Sequence, residues 1–543
     1  MSDVVASCPG CGDRLTFRNP ATVTVVCPSC GSLCARSDLD LERLGKVAEL
    51  APIDSPLSLG EHGRFGSEGW TAVGLLQLDH GAGPWNEWCL LLDSGGWAWL
   101  AEAQGELLWT RPVEGLIAPP YEQLEAGDRL DLGVKAGTWT IAEVGSAHVV
   151  SARGELPTRI TPGSPVRYAD LRGPGGGFAT LDYGDSGTLE RVYVGRKVEG
   201  EDVGLDPTKV AEQAERRASA GRLSCPNCGG EVRRFDPEGC PRVTCGSCGS
   251  LLDASSRTAK VIGVGAALAA RAILPLGNEG TFEERKVRLL AFLVRSVKVD
   301  GVRYPWREYL LRTDRGAYRW LVESRGHWSV GDAVSLDEVR GGGEVTVERG
   351  GETFRHFTSG NARVDHVQGE VYWQVEVGET VRSEDYVSPP SMLTIEGTKK
   401  ERTATLSHYV EPEVVAAAFA VPPERLPARV GVGAMQPNPH ATGTGAWWLT
   451  FAVFAVAIFG LMGVLASRGS SGTGETTVGL LVLGLLALPP IFASTRKARF
   501  EMERWSESDH PMGGSWGGGE DEEEDEGEED EDEEEEDEEE DEE

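Results

Sequence analysis

Hydrophobic and polar residues alternate over short distances in two long stretches of the chain, residues 39–205 and 256–425. Both stretches are rich in Val, Thr, Tyr and Trp, and glycines interrupt the pattern every several residues. Branched and aromatic side chains suit a pleated surface and glycine suits tight turns, so the pattern indicates β-strands. We expect two mainly β modules, each a twisted sheet or partial barrel. Helices are few; one is predicted over 207–220, with Asp206 as N-cap and Pro207 in the first turn.

Near the C-terminus the alternation gives way to continuous hydrophobic runs. Residues 446–467 are 22 positions without a charge, which as a helix measure about 33 Å, enough to cross a hydrocarbon core. Residues 478–494 form a second uncharged run of 17, close to the short limit, with Pro489 and Pro490 near its end. We predict a two-helix transmembrane hairpin over 446–495. The alternative is a pair of buried helices in a soluble domain.

Cations lie mostly outside this hairpin. Four follow the second run, two precede the first, and one stands in the connecting loop: Arg496, Lys497, Arg499 and Arg504; Arg425 and Arg429; Arg468. Because cytoplasmic flanks carry the excess of Lys and Arg, both flanks should face the cytoplasm, with a short turn over 469–477 on the far side. Residues 1–7 lack the features of a cleaved signal peptide, so the N-terminus should also be cytoplasmic.

Eight cysteines fall into two matching sets, each with two C-x-x-C pairs. The sets are Cys8, Cys11, Cys27 and Cys30, and Cys225, Cys228, Cys245 and Cys248. The two pairs of each set are separated by 15 or 16 residues, which is the zinc-ribbon spacing. Two C-x-x-C turns can complete a tetrahedral shell of four thiolates, and a reducing cytoplasm disfavours disulfides. We predict two structural zinc ions in closed sites that leave no position for a substrate water.

Three further cysteines stand outside these sets. Cys34 and Cys240 lie near the two ribbons, and each either replaces a ligand or is a spectator; the regular spacing favours spectators. Cys89 stands alone in a strand pattern and is interpreted as a small buried hydrophobic residue.

The two modules are copies of one another. The stretch LSLGEHGRF at 57–65 aligns with LPLGNEGTF at 274–282. Residues 84–105 align with residues 305–326 at a constant offset of 221. Later matches, such as Asp170 with Asp385, have an offset of 215. The change of offset indicates loops of different length in the two copies.

The second copy carries a family resemblance in FEERKVRLLAFLVRS, GVRYPWREYLL and RWLVESRGHW. These segments resemble a bacterial family catalogued as domain of unknown function 4178, and the first copy is similar but diverged. The resemblance covers roughly 300 residues across both copies. It implies a domain of membrane-associated bacterial proteins, often beside zinc ribbons, without catalytic residues to carry over. Its gene surroundings hint at envelope maintenance or stress.

A hairpin in each copy suggests a candidate site. If Ser94 and Gly95 form a two-residue loop, Glu87 lies opposite Glu102, and the same construction in the second copy places Glu308 opposite Glu323. Like charges directly opposite are destabilising unless a cation, a shared proton or an arginine intervenes. The pairs are therefore candidates for binding a cation or a basic partner. The alternative is that each glutamate reaches solvent or a structural arginine, or that a three-residue loop shifts the register and removes the pair.

Charge adds a tail to this picture. The chain has 543 residues and a net charge of -35, and 23 of its acidic residues lie in 520–543. This segment is predicted to be disordered. It either keeps the protein soluble or attracts polyamines, divalent cations or basic proteins. Nucleic acid is not an expected partner, because the only candidate cationic face on a ribbon is made by Arg222, Arg233, Arg234 and Arg242.

No common catalytic motif is present. We therefore expect a cytoplasmic interaction platform that binds other proteins. It should be anchored in the bilayer of the bacterial inner membrane, with both termini in the cytoplasm. An enzyme with a carboxylate site in the β module is the alternative, and a nucleic-acid-binding ribbon protein is the second. The predicted organisation is ribbon 1 over 1–38, β module 1 over 39–205, a helical linker over 206–221, ribbon 2 over 222–255, β module 2 over 256–425, a linker over 426–445, the hairpin over 446–495, a basic then Gly-rich linker over 496–519 and the acidic tail over 520–543.

Overall fold

A computed structural model describes residues 4–509 apart from a set of short gaps. The gaps are 20, 38–39, 48–54, 81–83, 104–105, 134–136, 162, 210–220, 237–239, 241, 255–258, 264–271, 300, 342–344, 374, 442–443 and 468–472. The predicted acidic tail, most of the helix predicted over 207–220 and part of the turn predicted over 469–477 lie outside the described residues. Asp206 Oδ1 accepts a hydrogen bond from the backbone N–H of Thr208 at 2.8 Å, as expected of an N-cap.

The first half of the chain contains fifteen described strands. They are β1 (Val4–Ser7), β2 (Arg14–Phe17), β3 (Thr24–Val26), β4 (Ser32–Ser37), β5 (Asp40–Lys46), β6 (His62–Phe65), β7 (Glu68–Asp79), β8 (Pro84–Leu92), β9 (Trp97–Ala103), β10 (Glu106–Val113), β11 (Arg129–Leu130), β12 (Trp139–Leu156), β13 (Pro165–Gly173), β14 (Gly177–Gly184) and β15 (Arg191–Val198).

The second half repeats this arrangement and adds helices. Its strands are β16 (Gly221–Ser224), β17 (Glu231–Arg234), β18 (Arg242–Thr244), β19 (Leu251–Asp253), β20 (Lys260–Gly263), β21 (Glu279–Phe282), β22 (Arg285–Val299), β23 (Val302–Thr313), β24 (Tyr318–Ser324), β25 (His327–Val334), β26 (Val339–Arg340), β27 (Thr346–Arg349), β28 (Glu352–Val371), β29 (Thr380–Ser388), β30 (Ser391–Gly397) and β31 (Arg402–Val410). The helices are α1 (Pro412–Ala418), α2 (Thr444–Ser467) and α3 (Thr473–Trp505), and single 3-10 turns occur at Tyr121–Gln123, Leu336–Glu338 and Pro423–Arg425.

Each β module is a closed barrel of eight antiparallel strands. In the first, the neighbours run β7, β8, β9, β10, β15, β14, β13 and β12, and β12 pairs back onto β7. In the second, they run β22, β23, β24, β25, β31, β30, β29 and β28, and β28 pairs back onto β22. Closure leaves these eight strands without a free edge, and a barrel of this size encloses just enough space for side chains or one small ligand. The predicted mainly β fold is confirmed.

One face of each strand points into the barrel. In the first barrel the rings of Trp85 on β8 and Tyr168 on β13 lie 6.2 Å apart, although these strands are not neighbours. Such a contact requires both side chains to cross the barrel interior. Residues that share this face with Trp85, including Cys89 and Trp99, therefore also point inward, and the intervening residues point outward.

Each ribbon is joined to its barrel by strand pairing. The longest strand of each barrel extends beyond the barrel and pairs with a ribbon strand: β12 with β3, and β28 with β18. A buried glutamate strengthens the junction. Glu155 on β12 accepts hydrogen bonds from the backbone N–H of Arg18 and the hydroxyl of Thr22, and Glu370 on β28 accepts one from the N–H of Asp236 at 2.7 Å. These donors offset the cost of burying a carboxylate at the junction.

The two barrels touch where the turn between β30 and β31 of the second meets the first, and Arg129 of the first barrel also donates to the carbonyl of Val339. The backbone N–H of Ala126 donates to the carbonyl of Lys399 at 2.9 Å, and that of Val144 donates to the carbonyl of Lys400 at 2.7 Å. An ion pair between Lys399 and Glu125 lies at the rim of this contact. The turn between β30 and β31 therefore rests against β12 of the first barrel.

The two C-terminal helices include windows long and apolar enough to cross a membrane, Trp447–Val464 and Thr477–Trp505. Helix α3 continues through Pro489 and Pro490 and does not stop at residue 495, where the predicted hairpin ends. Its last turns pack on the second barrel, which explains the extension. There the ring of Trp505 contacts that of Phe357, with centroids 5.5 Å apart.

Candidate functional site

The backbone of each ribbon brings two cysteine-bearing turns together. In every turn a glycine directly follows the second cysteine and adopts a left-handed conformation, as at Gly12 and Gly31 with φ of 79° and 68°. Their backbone N–H groups donate to the carbonyls of Cys8 and Cys27 at 2.8 and 2.9 Å. A side chain with a Cβ would disfavour this conformation, so the glycines allow two sulfurs of one turn to face the same point.

The four sulfurs of each ribbon converge on one centre. In the first ribbon the Cys8–Cys30 and Cys11–Cys27 sulfur distances are both 3.7 Å, and all four sulfurs lie within 4.8 Å of one another. The second ribbon repeats the 3.7 Å distances in the pairs Cys225–Cys248 and Cys228–Cys245. Sulfurs bound tetrahedrally at about 2.3 Å from one ion lie about 3.8 Å apart. The predicted ligand sets therefore have the geometry to hold one metal ion each.

A serine supports the fourth cysteine of each set. Sγ of Cys30 lies 3.2 Å from Oγ of Ser32, and Sγ of Cys248 lies 3.2 Å from Oγ of Ser250. These hydroxyls are the main reason that the pKa of Cys30 and that of Cys248 are lowered to about 6. A lowered pKa favours the thiolate, which is the form that binds a metal.

The remaining cysteines lie outside the two sulfur clusters. Cys34 is buried behind the first cluster, 3.7 Å from the carbonyl of Ser32, and burial raises its pKa to about 12. Cys240 is buried at the junction of the second ribbon and barrel, near Asp236. Cys89 is fully buried inside the first barrel, as predicted from its strand pattern. None of these three belongs to a four-sulfur group among the described residues.

The predicted glutamate pairs do not form, because the register of each hairpin is shifted by one residue. Glu87 lies opposite Ala101 and Glu102 opposite Asn86; Glu308 lies opposite Val322 and Glu323 opposite Arg307. The cause is the turn. Gly95 has φ of 87° and ends a three-residue loop, in which the N–H of Leu92 donates to the carbonyl of Gly96. A loop with a left-handed glycine in its third position adds one residue to the two-residue loop assumed in the prediction.

The shift places the members of each predicted pair on opposite sides of the barrel wall. Glu102 points outward and accepts a hydrogen bond from Asn86 at 3.3 Å. Glu323 also points outward and pairs with Arg307 at 2.6 Å. The three-residue loop of both hairpins and the arginine partner of Glu323 agree with the alternative interpretation, whereas Glu102 is bonded to an asparagine. Glu87 and Glu308 point into the barrels.

Inside the first barrel, Glu87 belongs to a cluster of carboxylates from separate strands. Asp170 on β13 and Asp182 on β14 share the inward face, and Asp170 accepts a hydrogen bond from Thr180 at 2.7 Å. Trp85 donates its indole N–H to Glu87 at 3.1 Å. Glu143 on β12 lies opposite Asp170 in the sheet, adding a fourth acidic side chain. We call Glu87, Glu143, Asp170 and Asp182 the interior carboxylate cluster.

The electrostatics of this cluster favour protonation. Burial raises the pKa of Glu87 to about 7, and the charge of Asp182 adds to the rise while the hydrogen bond from Trp85 opposes it. Burial likewise raises the pKa of Asp170 to about 7, with a further rise caused by Glu143. Carboxyls of this kind can exchange protons near neutral pH or accept a cation in place of the proton.

The second barrel contains the corresponding carboxylates with an arginine among them. Arg295 on β22 lies 3.3 Å from Glu308 and 2.8 Å from Glu396, and all three side chains are largely buried. The Arg295 guanidinium is 5.7 Å from the ring centre of Trp306, which donates to Glu308 at 2.6 Å. Asp385 lies beside them and accepts from Thr394. Burial raises the pKa of Glu396 to about 7, against the attraction of Arg295.

The residues matched by family comparison are the two barrels. The family model described as "Domain of unknown function (DUF4178)" matches residues 58–200 and 275–412, which together are more than half of the chain. The chain belongs to the DUF4178 family. No curated protein and no solved structure matches it.

The two four-cysteine groups lie outside the segments that match DUF4178, whereas the interior carboxylates lie within them. Each four-cysteine group precedes one copy. Glu155 and Glu370, which clasp the ribbons, lie inside the copies, so each copy carries the attachment point for its own ribbon. The repeat pairs Glu155 with Glu370 and Asp170 with Asp385, and both pairs were visible in the sequence. Nothing in the sequence indicated that the two glutamates contact the ribbons or that the two aspartates point into the barrels.

The arginines of the second ribbon are partly used inside the protein. Arg234 is buried and donates to the carbonyls of Ala254 and Cys240, and Arg242 forms an ion pair with Asp253 at 2.7 Å. Arg233 is exposed, and the side chain of Arg222 lies outside the described part of the structure. Two of the four arginines of the candidate cationic face therefore stabilise the ribbon itself.

Proposed function

We propose that the chain is a membrane-anchored scaffold of a bacterial cytoplasmic membrane, in which two zinc-clipped DUF4178 barrels form an interaction platform on the cytoplasmic side. The observation that carries the proposal is the fusion of each four-cysteine ribbon to a barrel, with two apolar helices after the second barrel. All four ligand positions in each ribbon are sulfurs, which suits a structural ion and leaves none for a reacting water.

Zinc is the ion that this donor set fits best. Soft thiolates in a tetrahedral arrangement select zinc or an iron–sulfur centre, and the C-x-x-C spacing is that of zinc ribbons. We expect the purified full-length protein to contain two zinc ions per chain, measured by elemental analysis. Replacing Cys11 by Ser should reduce the content to one ion. Stoichiometric iron, or no metal at all, would contradict the assignment.

Anchoring is supported by the length of the two helices and by the position of the cations. Exposed Arg496 and Arg499 follow the second uncharged run, residues 478–494, and Arg425 and Arg429 precede the first. The positive-inside rule then places both flanks, and with them the barrels, in the cytoplasm. The full-length protein should stay in the membrane pellet after an alkaline carbonate wash, whereas a version that ends at residue 440 should be released. Release of both would contradict the membrane anchor.

A platform must bind other proteins, and this property is tested separately. Full-length protein and a version that ends at Gly519 are used for affinity capture from detergent-solubilised membranes at low and moderate salt. Partners of the barrels should remain with both versions at moderate salt. Partners of the acidic segment should be lost on truncation or at moderate salt, because screening weakens long-range attraction. If neither version enriches any protein above an unrelated membrane protein of similar size, the platform is refuted.

A further inference from the structure

The two barrels differ at an interior position where the second carries a cation and the first does not. Leu78 lies opposite Trp85 in the sheet, and Arg295 lies opposite Trp306, the counterpart of Trp85 in the second copy. Leu78 and Arg295 therefore occupy the same place in the two barrels. The second barrel has a guanidinium among its carboxylates, and the first has an uncharged side chain that does not extend as far.

The acidic side chains around this position are present in both barrels. Glu87 corresponds to Glu308 in the register of the first hairpin. Asp170 and Asp385 both lie opposite a threonine on the next strand, which in each case donates to the carboxylate. Two residues beyond that threonine stands Asp182 in the first barrel and Glu396 in the second. The three carboxylates that surround a guanidinium in the second barrel thus recur in the first.

Charge makes the first barrel the more acidic of the two. It has Glu143 where the second has Thr358, as both lie opposite the shared aspartate. Arg191 reaches Asp182 at 3.5 Å, and its side chain is 40% exposed, so it neutralises only the outer end of the cluster. Among the described residues no ion pair reaches Glu87 or Asp170. The exposed Arg191 also indicates that the cluster opens to solvent at this end of the barrel.

We propose that the interior of the first barrel binds a small guanidinium compound, held by Glu87, Asp170 and Asp182 in the place that Arg295 fills in the second barrel. The second barrel is the independent observation, because its matching carboxylates already hold a guanidinium at 2.8 and 3.3 Å. A planar guanidinium with several donors suits carboxylates that approach from different strands. The half-buried rings of Trp85 and Tyr193 supply aromatic faces for the cation.

The test uses the full-length protein in detergent micelles and radiolabelled methylguanidinium as the probe. Equilibrium dialysis at 300 mM NaCl suppresses weak association with the acidic segment at 520–543. The unaltered protein should bind one equivalent of the probe at saturation. Leu78→Arg places a built-in guanidinium in the site and should abolish binding, whereas the matched control Leu78→Met should retain it. Glu87→Gln should lower the affinity at least tenfold, and it serves as the second variant if Leu78→Arg does not fold, as judged by its zinc content.

Three outcomes would overturn the proposal. The first is the absence of saturable binding to the unaltered protein, which would mean that protons and the interior tyrosines alone satisfy the cluster. The second is equal binding by Leu78→Arg and Leu78→Met, which would place the probe elsewhere on the chain. The third is equal affinity for methylammonium, which would show that the site does not select a guanidinium. Each is independent of the zinc and membrane measurements above.

Discussion

The junction between helix α3 and the second barrel depends on one buried arginine. Arg504 is fully buried. Its guanidinium donates to the carbonyls of Gly433, Ala434 and Gln436 at 3.2, 2.6 and 2.6 Å, and to Glu501 at 2.9 Å. Replacing Arg504 by Ala removes all four bonds, so the carbonyls of Ala434 and Gln436 lose this donor, whereas the carbonyl of Gly433 still accepts from the N–H of Gln436. We expect the end of α3 to separate from the barrel.

The size of the effect follows from these contacts. Breaking a buried charged group away from its partners costs about 3–5 kcal/mol. Each 1.4 kcal/mol changes an equilibrium constant tenfold. The fraction of molecules with an undocked α3 should therefore rise roughly 100-fold or more. The barrel should keep its own stability, because Arg504 bonds only to the loop before α2 and to its own helix.

Hydrogen exchange measures this undocking directly. The N–H of Asp509 donates to the carbonyl of Phe357 at 2.9 Å, and the N–H of Ser359 donates to Asp509 Oδ2 at 2.6 Å. The amides of Asp509 and Ser359 should lose protection in Arg504→Ala, while the other amides of the barrel strands are unaffected. Arg499→Ala is the matched control, since Arg499 is an exposed arginine of the same helix. If the two variants change the exchange of these amides equally, Arg504 is not what holds the helix on the barrel.

Three further predictions concern the ribbons and the first barrel. Cys27→Ser should remove one of the two proposed zinc ions, measured by elemental analysis, whereas Cys34→Ser should retain both; loss of zinc from the second variant would make Cys34 a ligand. Glu370→Gln should weaken the junction with the second ribbon and speed the loss of zinc to a chelator. An unchanged rate of zinc loss would contradict this role of Glu370. The free energy of unfolding should fall as pH rises from about 5 to 8, because Glu87 and Asp170, whose pKa values are raised to about 7, bind protons more tightly in the folded state. Glu87→Gln should flatten this dependence in denaturant titrations, and an unaltered slope would contradict it.

Local spacing was enough to predict the metal ligands, and it was not enough to predict the carboxylate site. The cysteine turns are set by residues only a few positions apart, so Cys8 and Cys11 could be assigned from C-x-x-C alone. The pairing of the glutamates depended on whether the loop has two or three residues, and a single added residue put Glu87 and Glu102 on opposite sides of the barrel wall. Sequence could not decide between these loops, because Ser-Gly is compatible with both.

The closure of the barrels could not be predicted from the sequence pattern, for a different reason. The pairing of β12 with β7 joins residues such as Gly154 and Gly74, which are far apart in the chain. Alternation reports which face of a strand is buried, but not which distant strand completes the sheet. For the same reason the repeat of Asp170 and Asp385 was visible, whereas their position beside Glu87 and Glu308 was not.

The strand that each ribbon shares with its barrel has a thermodynamic consequence. Val25 of the ribbon pairs with Glu155 of β12, so the ribbon is complete only when the barrel strand is in place. Any ligand that binds only the finished ribbon must then also favour the finished barrel, and by reciprocity a well-formed barrel must raise the affinity for that ligand. When the ion is scarce, the barrel should therefore also lose order, although the barrel does not contact the ion.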